Sequence, residues 1–314
     1  MTLLIQYTLI FASVLLLVAL GGCFAEHSGV INIGLEGIMV IGALGGALIM
    51  KFLPVSVGAP VMILAVTLGS ALFGMLFSLL LAVAAINFKA DQTITGTAMN
   101  MLATAAATVA VKAMNTAASG GSDVSSEITF TNARELLTFR VGSFTLNWFM
   151  LIALAVLIFS QILLYKSRFG LRLMACGEHP QAAASVGIDV YKMRYAGVLI
   201  SGLLGGLGGV VYITAGINSW KFENGVAGFG FLSLAVMIFG AWHPVKIALA
   251  ALLFGFFRAL GNVYSGFDFM MALKIPSVVY NMLPYVISLV VLAFTSKKSR
   301  APKAEGIPYD PGTR

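Results

Sequence analysis

The chain has 314 residues and a net charge of +7, and it is 59% hydrophobic but only 10% charged, whereas a soluble domain carries about a quarter charged residues. So few charges cannot cover a water-facing surface, and a mean hydropathy of +0.97 excludes ordinary soluble domains in favour of a single membrane domain. The excess of positive charge does not mark a nucleic-acid binder. It gathers in Lys166, Arg168, Arg172, Lys192 and Arg194 and again in Lys297, Lys298, Arg300, Lys303 and Arg314, beside apolar spans and with no aromatic platform among them.

The predicted fold is all-α, a polytopic integral membrane helical bundle of about nine spans within 1–296. The first span is 3–20. Leu20-Gly21-Gly22-Cys23 imitates a lipoprotein cleavage site, but residues 1–6 hold no Lys or Arg and the chain stays apolar afterwards, so the span is read as retained. Further spans are predicted at 30–50, 60–86, 92–113, 146–165, 195–215, 228–242, 245–263 and 276–296. The run at 228–242 is short, and the Gly-rich stretch 29–37 reads as broken rather than helical throughout. Segment 114–145 is rich in Ser, Gly and Thr and is predicted to be a periplasmic loop or small cap.

The basic loop 166–194 is predicted to be cytoplasmic. Alternation then puts the basic tail 297–314 on the same side and the amino terminus outside. Twelve of the 19 Lys and Arg residues fall inside under this topology, a bias of the expected sign. Arg258, near an outer span end, is expected to snorkel.

A faint internal repeat relates Ser28-Gly29-Val30 and Ile38-Met39-Val40-Ile41-Gly42-Ala43 to Asn224-Gly225-Val226 and Val236-Met237-Ile238-Phe239-Gly240-Ala241. Two spans later Asn100-Met101-Leu102 returns as Asn281-Met282-Leu283. The paired segments run in opposite directions, which suggests an inverted repeat with discontinuous helices and a solute passage between the halves. Small-xxx-small spacing at Gly202, Gly205, Gly206, Gly208 and Gly209, and at Gly42 and Gly46, points to close helix packing.

Residues 177–188 read Gly177-Glu178-His179-Pro180-Gln181-Ala182-Ala183-Ala184-Ser185-Val186-Gly187-Ile188. Glu178 or its neighbour can cap a short helix, Pro180 suits its first turn and Gly187 ends it. Such a helix fits a partner's groove, and it fits a mere connector equally well.

In this place, Gly-Glu-x-Pro-x-Ala-Ala-x-x-x-Gly-Ile resembles the coupling loop of the permease family that serves sugar, nucleoside and branched-chain amino-acid ABC importers. Further segments are similar to its nucleoside branch, partnered by lipoproteins of the basic membrane protein type: Ser28 to Gly37, Ala90 to Asn100, Phe239-Gly240-Ala241-Trp242-His243-Pro244 and Ser299-Arg300-Ala301-Pro302. The resemblance runs in order over nearly the whole chain. It departs at His179, where Asn is usual, and at Gln181, where a basic residue is common. It implies a multi-pass protein of the bacterial inner membrane that forms half of a translocation pathway for a nucleoside or, as the alternative, a simple sugar. The implied partners are a second homologous permease, a cytoplasmic ATPase carrying ATP and Mg, and a substrate-binding lipoprotein. Gly177, Glu178, Pro180, Ala182, Ala183 and Gly187 would then contact the ATPase.

For the pathway the candidates are Gln92, Asn100, Asn281, Asn32 and Glu36. Neutral amides and hydroxyls, here Gln92, Thr93, Thr95, Thr97 and Asn100 with Tyr280 and Asn281, suit an uncharged polar solute, and they equally suit bonding between helices. A carboxylate at Glu36 marks either a pathway or an acceptor for the N–H groups of an unwound backbone, and the second role is favoured. An ion-coupled secondary transporter using Glu36 as proton carrier is the competing class, and it leaves 177–188 unexplained.

No enzyme is expected. Cys23 and Cys176 make no disulfide framework, and His27, His179 and His243 are scattered without metal-ligand spacing. No Gly-x-x-x-x-Gly-Lys-Ser/Thr occurs, so ATP is not expected on this chain.

Overall fold

The computed structural model describes residues 2–142, 144–267, 271, 272, 274, 276–295 and 301–312. The basic residues Lys297, Lys298, Arg300 and Arg314, and the side chain of Asn281, lie outside what is described.

Helix α1 (Thr2–His27) is longer than the predicted first span and runs through the middle of the bundle. It is followed by a non-helical stretch, 28–34, and then α2 (Leu35–Phe52). Helix α3 (Ala59–Ala82) opens with Pro in its first turn and continues through a π turn to Asn87. Asp91 caps α4 (Gln92–Ala118), its carboxylate accepting from the Ile94 amide at 2.8 Å. Between α4 and the next long helix lies a small cap. It carries β1 (Glu127–Thr129), α5 (Thr131–Leu136), β2 (Thr138–Val141) and β3 (Phe144–Asn147), the last two paired as an antiparallel hairpin.

Helix α6 (Trp148–Lys166) returns to the far end, where α7 (Arg168–Glu178) and α8 (Pro180–Ser185) lie. Asp189 caps α9 (Val190–Ile213), which leads back to β4 (Ser219–Lys221). The antiparallel register Glu127↔Lys221, Ile128↔Trp220 and Thr129↔Ser219 ties β4 to β1. The chain then turns inward to α10 (Phe229–Phe239), α11 (Pro244–Val263) and α12 (Ser277–Thr295).

Among the described residues, seven helices are long and apolar enough to cross a membrane: α1, α2, α3, α4, α6, α9 and α11. The short α10 and the 19-residue α12 occupy the other two predicted spans, so the expected count of nine is approximate.

Helices α1 to α4 and α9 to α12 are arranged alike. Helix α1 packs on α11 as α9 packs on α3, and α2 lies against α3 and α4 as α10 lies against α11 and α12. The two sets run in opposite directions. Helix α2 ends at the cap, where Lys51 Nζ donates to Asn115 Oδ1 at 3.0 Å. Helix α10 ends at the opposite, loop end, where Trp242 Nε1 donates to the carboxylate of Glu26. The expected inverted pair of discontinuous helices is therefore present as an arrangement of packed elements.

Glycines let the crossings close. A Cβ at Gly42 would strike the backbone of Gly206, and one at Gly74 would strike Gly202 and Gly206, so α2, α3 and α9 meet backbone to backbone. Arg258, expected to snorkel, is partly exposed, and its guanidinium lies over the rings of Phe229 and Phe11, at 5.4 and 5.9 Å from their centroids.

Candidate functional site

The two broken segments meet in the middle of the bundle. Helix α2 begins at Leu35 after 28–34, and α10 begins at Phe229 after a 3₁₀ turn and Gly225 to Gly228. Each leaves helix N–H groups without an intrahelical partner. Glu36 supplies acceptors across the junction: Oε1 accepts from the Gly228 amide at 2.8 Å and Oε2 from the Gly230 amide at 2.7 Å. A carboxylate there also complements the positive end of α10. Gly230 is required because a Cβ would collide with the Glu36 amide nitrogen.

The amides named from the sequence converge on the first break. Gln92 Oε1 accepts from the Ile31 amide at 2.7 Å. Asn100 uses both ends of its side chain, Oδ1 accepting from the Gly37 amide at 2.7 Å and Nδ2 donating to the Ile33 carbonyl at 3.0 Å. Asn32 Nδ2 donates to Ser201 Oγ at 2.8 Å. In the second half Tyr285 on α12 donates to the Ala227 carbonyl at 3.0 Å, beside the second break. Gln92, Asn32, Asn100 and Glu36 thus all engage groups of the protein itself around the unwound backbone. Such irregular backbone survives at membrane depth only where it is paired internally or lines a cavity.

At the loop end α8 is one short helix, as Pro180 and Gly187 led us to expect. Pro180 occupies its first turn, and Gly187 follows at φ +84° with its amide donating to the Ala184 carbonyl. The residue at the cap position is His179, which makes no side-chain cap bond, while Glu178 ends α7. The face of α8 divides sharply. Gln181, Ala182, Ser185 and Val186 are exposed, whereas Pro180 and Ala183 are buried, Ala183 in a cluster with Cys176, Val190 and Tyr309. Gly177 is wedged against α1, since a Cβ there would run into the His27 carbonyl. Burial pushes the Cys176 thiol up to about 11, so it stays protonated and inert.

The tail was expected only as a basic cytoplasmic extension. Residues 301–312 instead fold back across the loop end. The Ala304 amide donates to the Gly177 carbonyl at 2.8 Å, the Gly306 amide to the Gly29 carbonyl at 3.2 Å, and the buried Arg194 donates Nη1 to the Ile307 carbonyl at 2.9 Å. Tyr309 packs edge-on to Tyr191, and Lys89 pairs with Asp310 at 3.5 Å. Sequence reasoning missed this strap, although Pro302, Gly306, Pro308 and Tyr309 break the run of charge with turn formers and an anchor.

Residues 4–294 match the family model for the permease component of branched-chain amino acid transport systems. The chain belongs to that family, and it is a multi-pass membrane protein. It is 39% identical over 330 residues to the guanosine ABC transporter permease protein NupQ of Bacillus subtilis, covering 100% of this chain and 98% of that one. It is also 39% identical over 307 residues to the nucleoside ABC transporter permease protein NupC of Lactococcus lactis, covering 96% and 94%. A second Lactococcus lactis protein, the nucleoside ABC transporter permease protein NupB, is 33% identical over 110 residues, 35% of this chain and 30% of that one.

Proposed function

We propose that this chain is the permease subunit of an ATP-driven nucleoside importer in the bacterial cytoplasmic membrane. The observation that carries this reading is that its likeness to a guanosine permease and a nucleoside permease extends end to end. In this reading the chain forms half of the passage, and a second, related permease forms the other half. The pairing of NupC with NupB names in one organism supports such a partner. A cytoplasmic ATPase, which carries the ATP and Mg, engages the exposed side of α8. A substrate-binding lipoprotein delivers solute at the cap end.

The geometry fits an alternating passage better than a resident site. Helices α2 and α10 begin beside one another and leave toward opposite ends, held together by Glu36 and two glycine amides. The test is uptake of labelled guanosine by sealed vesicles holding the full set of subunits. Uptake is expected to require ATP on the ATPase side and to persist when the proton gradient is collapsed. Uptake that stops with an uncoupler at constant ATP would return the chain to the ion-coupled class.

A further inference from the structure

Helix α4 exposes large apolar side chains, Ile94, Met101, Leu102 and Val109, as the other outer helices do, but it carries a polar row beside them. Helices α3 and α6 present large apolar side chains, such as Leu64 and Leu68 at about 60% exposure and Leu154, Ile158 and Phe159 on α6, which suits hydrocarbon. On α4 the buried row is Gln92, Gly96, Ala103, Ala107 and Val111. One position further along lies a second row, Thr93, Thr97, Asn100, Thr104, Thr108 and Lys112, each exposed or partly exposed. From Thr93 to Thr108 this row extends roughly 22 Å at the helical rise, most of the hydrocarbon thickness of a bilayer. It borders the second broken segment, with Thr104 Oγ1 lying 3.8 Å from the place of a Cβ on Gly225. At its cap-ward end Lys112 pairs with Glu223, both about half exposed, which needs water rather than lipid around them.

We propose that Thr93, Thr97, Thr104 and Thr108 form a hydroxyl ladder along which the solute slides and which sets which solutes pass. The inference rests on the reading of the chain as a permease. Asn100 is engaged at both ends, holding Gly37 and Ile33, while Gln92 holds Ile31 through its oxygen alone and keeps a buried Nε2 unpaired. The hydroxyls are turned to use differently. Thr97 Oγ1 donates to the Thr93 carbonyl at 2.8 Å and Thr104 Oγ1 to the Asn100 carbonyl at 3.3 Å. Those two oxygens spend their hydrogens on their own helix and keep their lone pairs for a donor. The ladder therefore takes uncharged solutes rich in hydroxyl and N–H donors, such as the sugar and base edges of a nucleoside. Between Asp91 and Lys112 the helix has no charged residue, so a neutral solute meets a run of equivalent weak acceptors and is not held at one of them.

Thr97→Cys and Thr104→Cys, each assembled with its partner subunits, are treated in vesicles of both orientations with a charged, membrane-impermeant methanethiosulfonate. Leu68→Cys on α3 is the lipid-facing control, and the native Cys23 and Cys176 are buried. Both ladder cysteines are expected to react at least about tenfold faster than the control, modification is expected to block uptake, and excess guanosine is expected to protect. Rates equal to Leu68→Cys in both orientations, with and without ATP, would overturn the ladder while leaving wild-type uptake, and with it the permease reading, intact. A variant with all four threonines changed to Val keeps shape and removes the acceptors. It is expected to assemble normally and to lose most uptake; uptake at the wild-type rate would also overturn the proposal.

Discussion

The Ala304 amide donates to the Gly177 carbonyl at 2.8 Å, so the tail of the chain is bonded to the residue that joins α7 to the end of α1. Two residues on, Gly306 bonds to Gly29 at the start of the first broken segment. The strap thus touches both the short helix α8, through Tyr309, and the unwound backbone that leads to Glu36. Replacing Tyr309, which is 9% exposed, with Ala removes the anchor. A loss of about 2–3 kcal/mol is expected for a buried ring of this kind. Limited proteolysis of the complex should then cut within 301–312, and solute-stimulated ATP hydrolysis should fall. A strap that stays protected in Tyr309→Ala would show that its backbone bonds suffice.

The strap also carries a titratable group. Burial raises the Glu305 carboxyl above its usual value of 4.5, and its side chain hydrogen-bonds that of Glu26. A carboxyl whose folded pKa is raised favours the protonated form. Its contribution is fully present below 4.5 and is lost as pH rises through the raised value. Attachment of the strap should therefore weaken on titration upward from 4.5, read as increasing proteolysis of the tail, and Glu305→Gln should flatten the dependence. A wild-type profile that is already flat would contradict this.

What could be read beforehand followed local chemistry. Pro180 and Gly187 bracket a short helix because one fits a first turn and the other a left-handed exit. Gly29, Gly34 and Gly37 around Asn32 and Glu36 announce unwound backbone because no lipid-facing helix would place them so. What could not be read depended on distant partners. The run Leu20-Gly21-Gly22-Cys23 looked like the end of a span, yet α1 continues to His27 because those small residues are where it crosses α9: a Cβ on Gly21 would sit 2.9 Å from the Ser201 carbonyl. Arg194 read as one of the positive-inside charges of loop 166–194, and it lies 1% exposed beneath the strap. The amides read equally as pathway groups and as bonds between helices, and which hydrogen bonds they make is decided by segments distant in the chain, Gln92 with Ile31 and Asn100 with Gly37.

Glu36 offers a direct comparison of its two roles. Alanine would leave the Gly228 and Gly230 amides without their acceptor, at a cost of about 2 kcal/mol or more. Glutamine keeps one acceptor but turns an N–H toward the other amide, so it should also destabilise. Both variants are expected to melt below wild type in detergent, the alanine variant lowest. Wild-type melting in both, with uptake abolished, would instead assign Glu36 to solute or proton movement.

The last expectation separates the two sides of α8. Ala182 is exposed beside Gln181, Ser185 and Val186, while Ala183, one residue on, is buried against Cys176, Val190 and Tyr309. An arginine at 183 would have to enter a filled cluster and bring a charge with it, and each of those costs on the order of a few kcal/mol. Ala183→Arg should therefore lower the melting temperature of the permease alone, before any partner is added, and its loss of transport would say nothing about docking. Ala182→Arg projects into solvent and should leave the melting temperature unchanged. If the exposed side of α8 seats in the ATPase, the long charged side chain at 182 will block that contact, and solute-stimulated ATP hydrolysis should fall to the level of the ATPase alone. A permease with Ala182→Arg that still assembles, hydrolyses ATP and imports guanosine at the wild-type rate would show that the ATPase engages another surface.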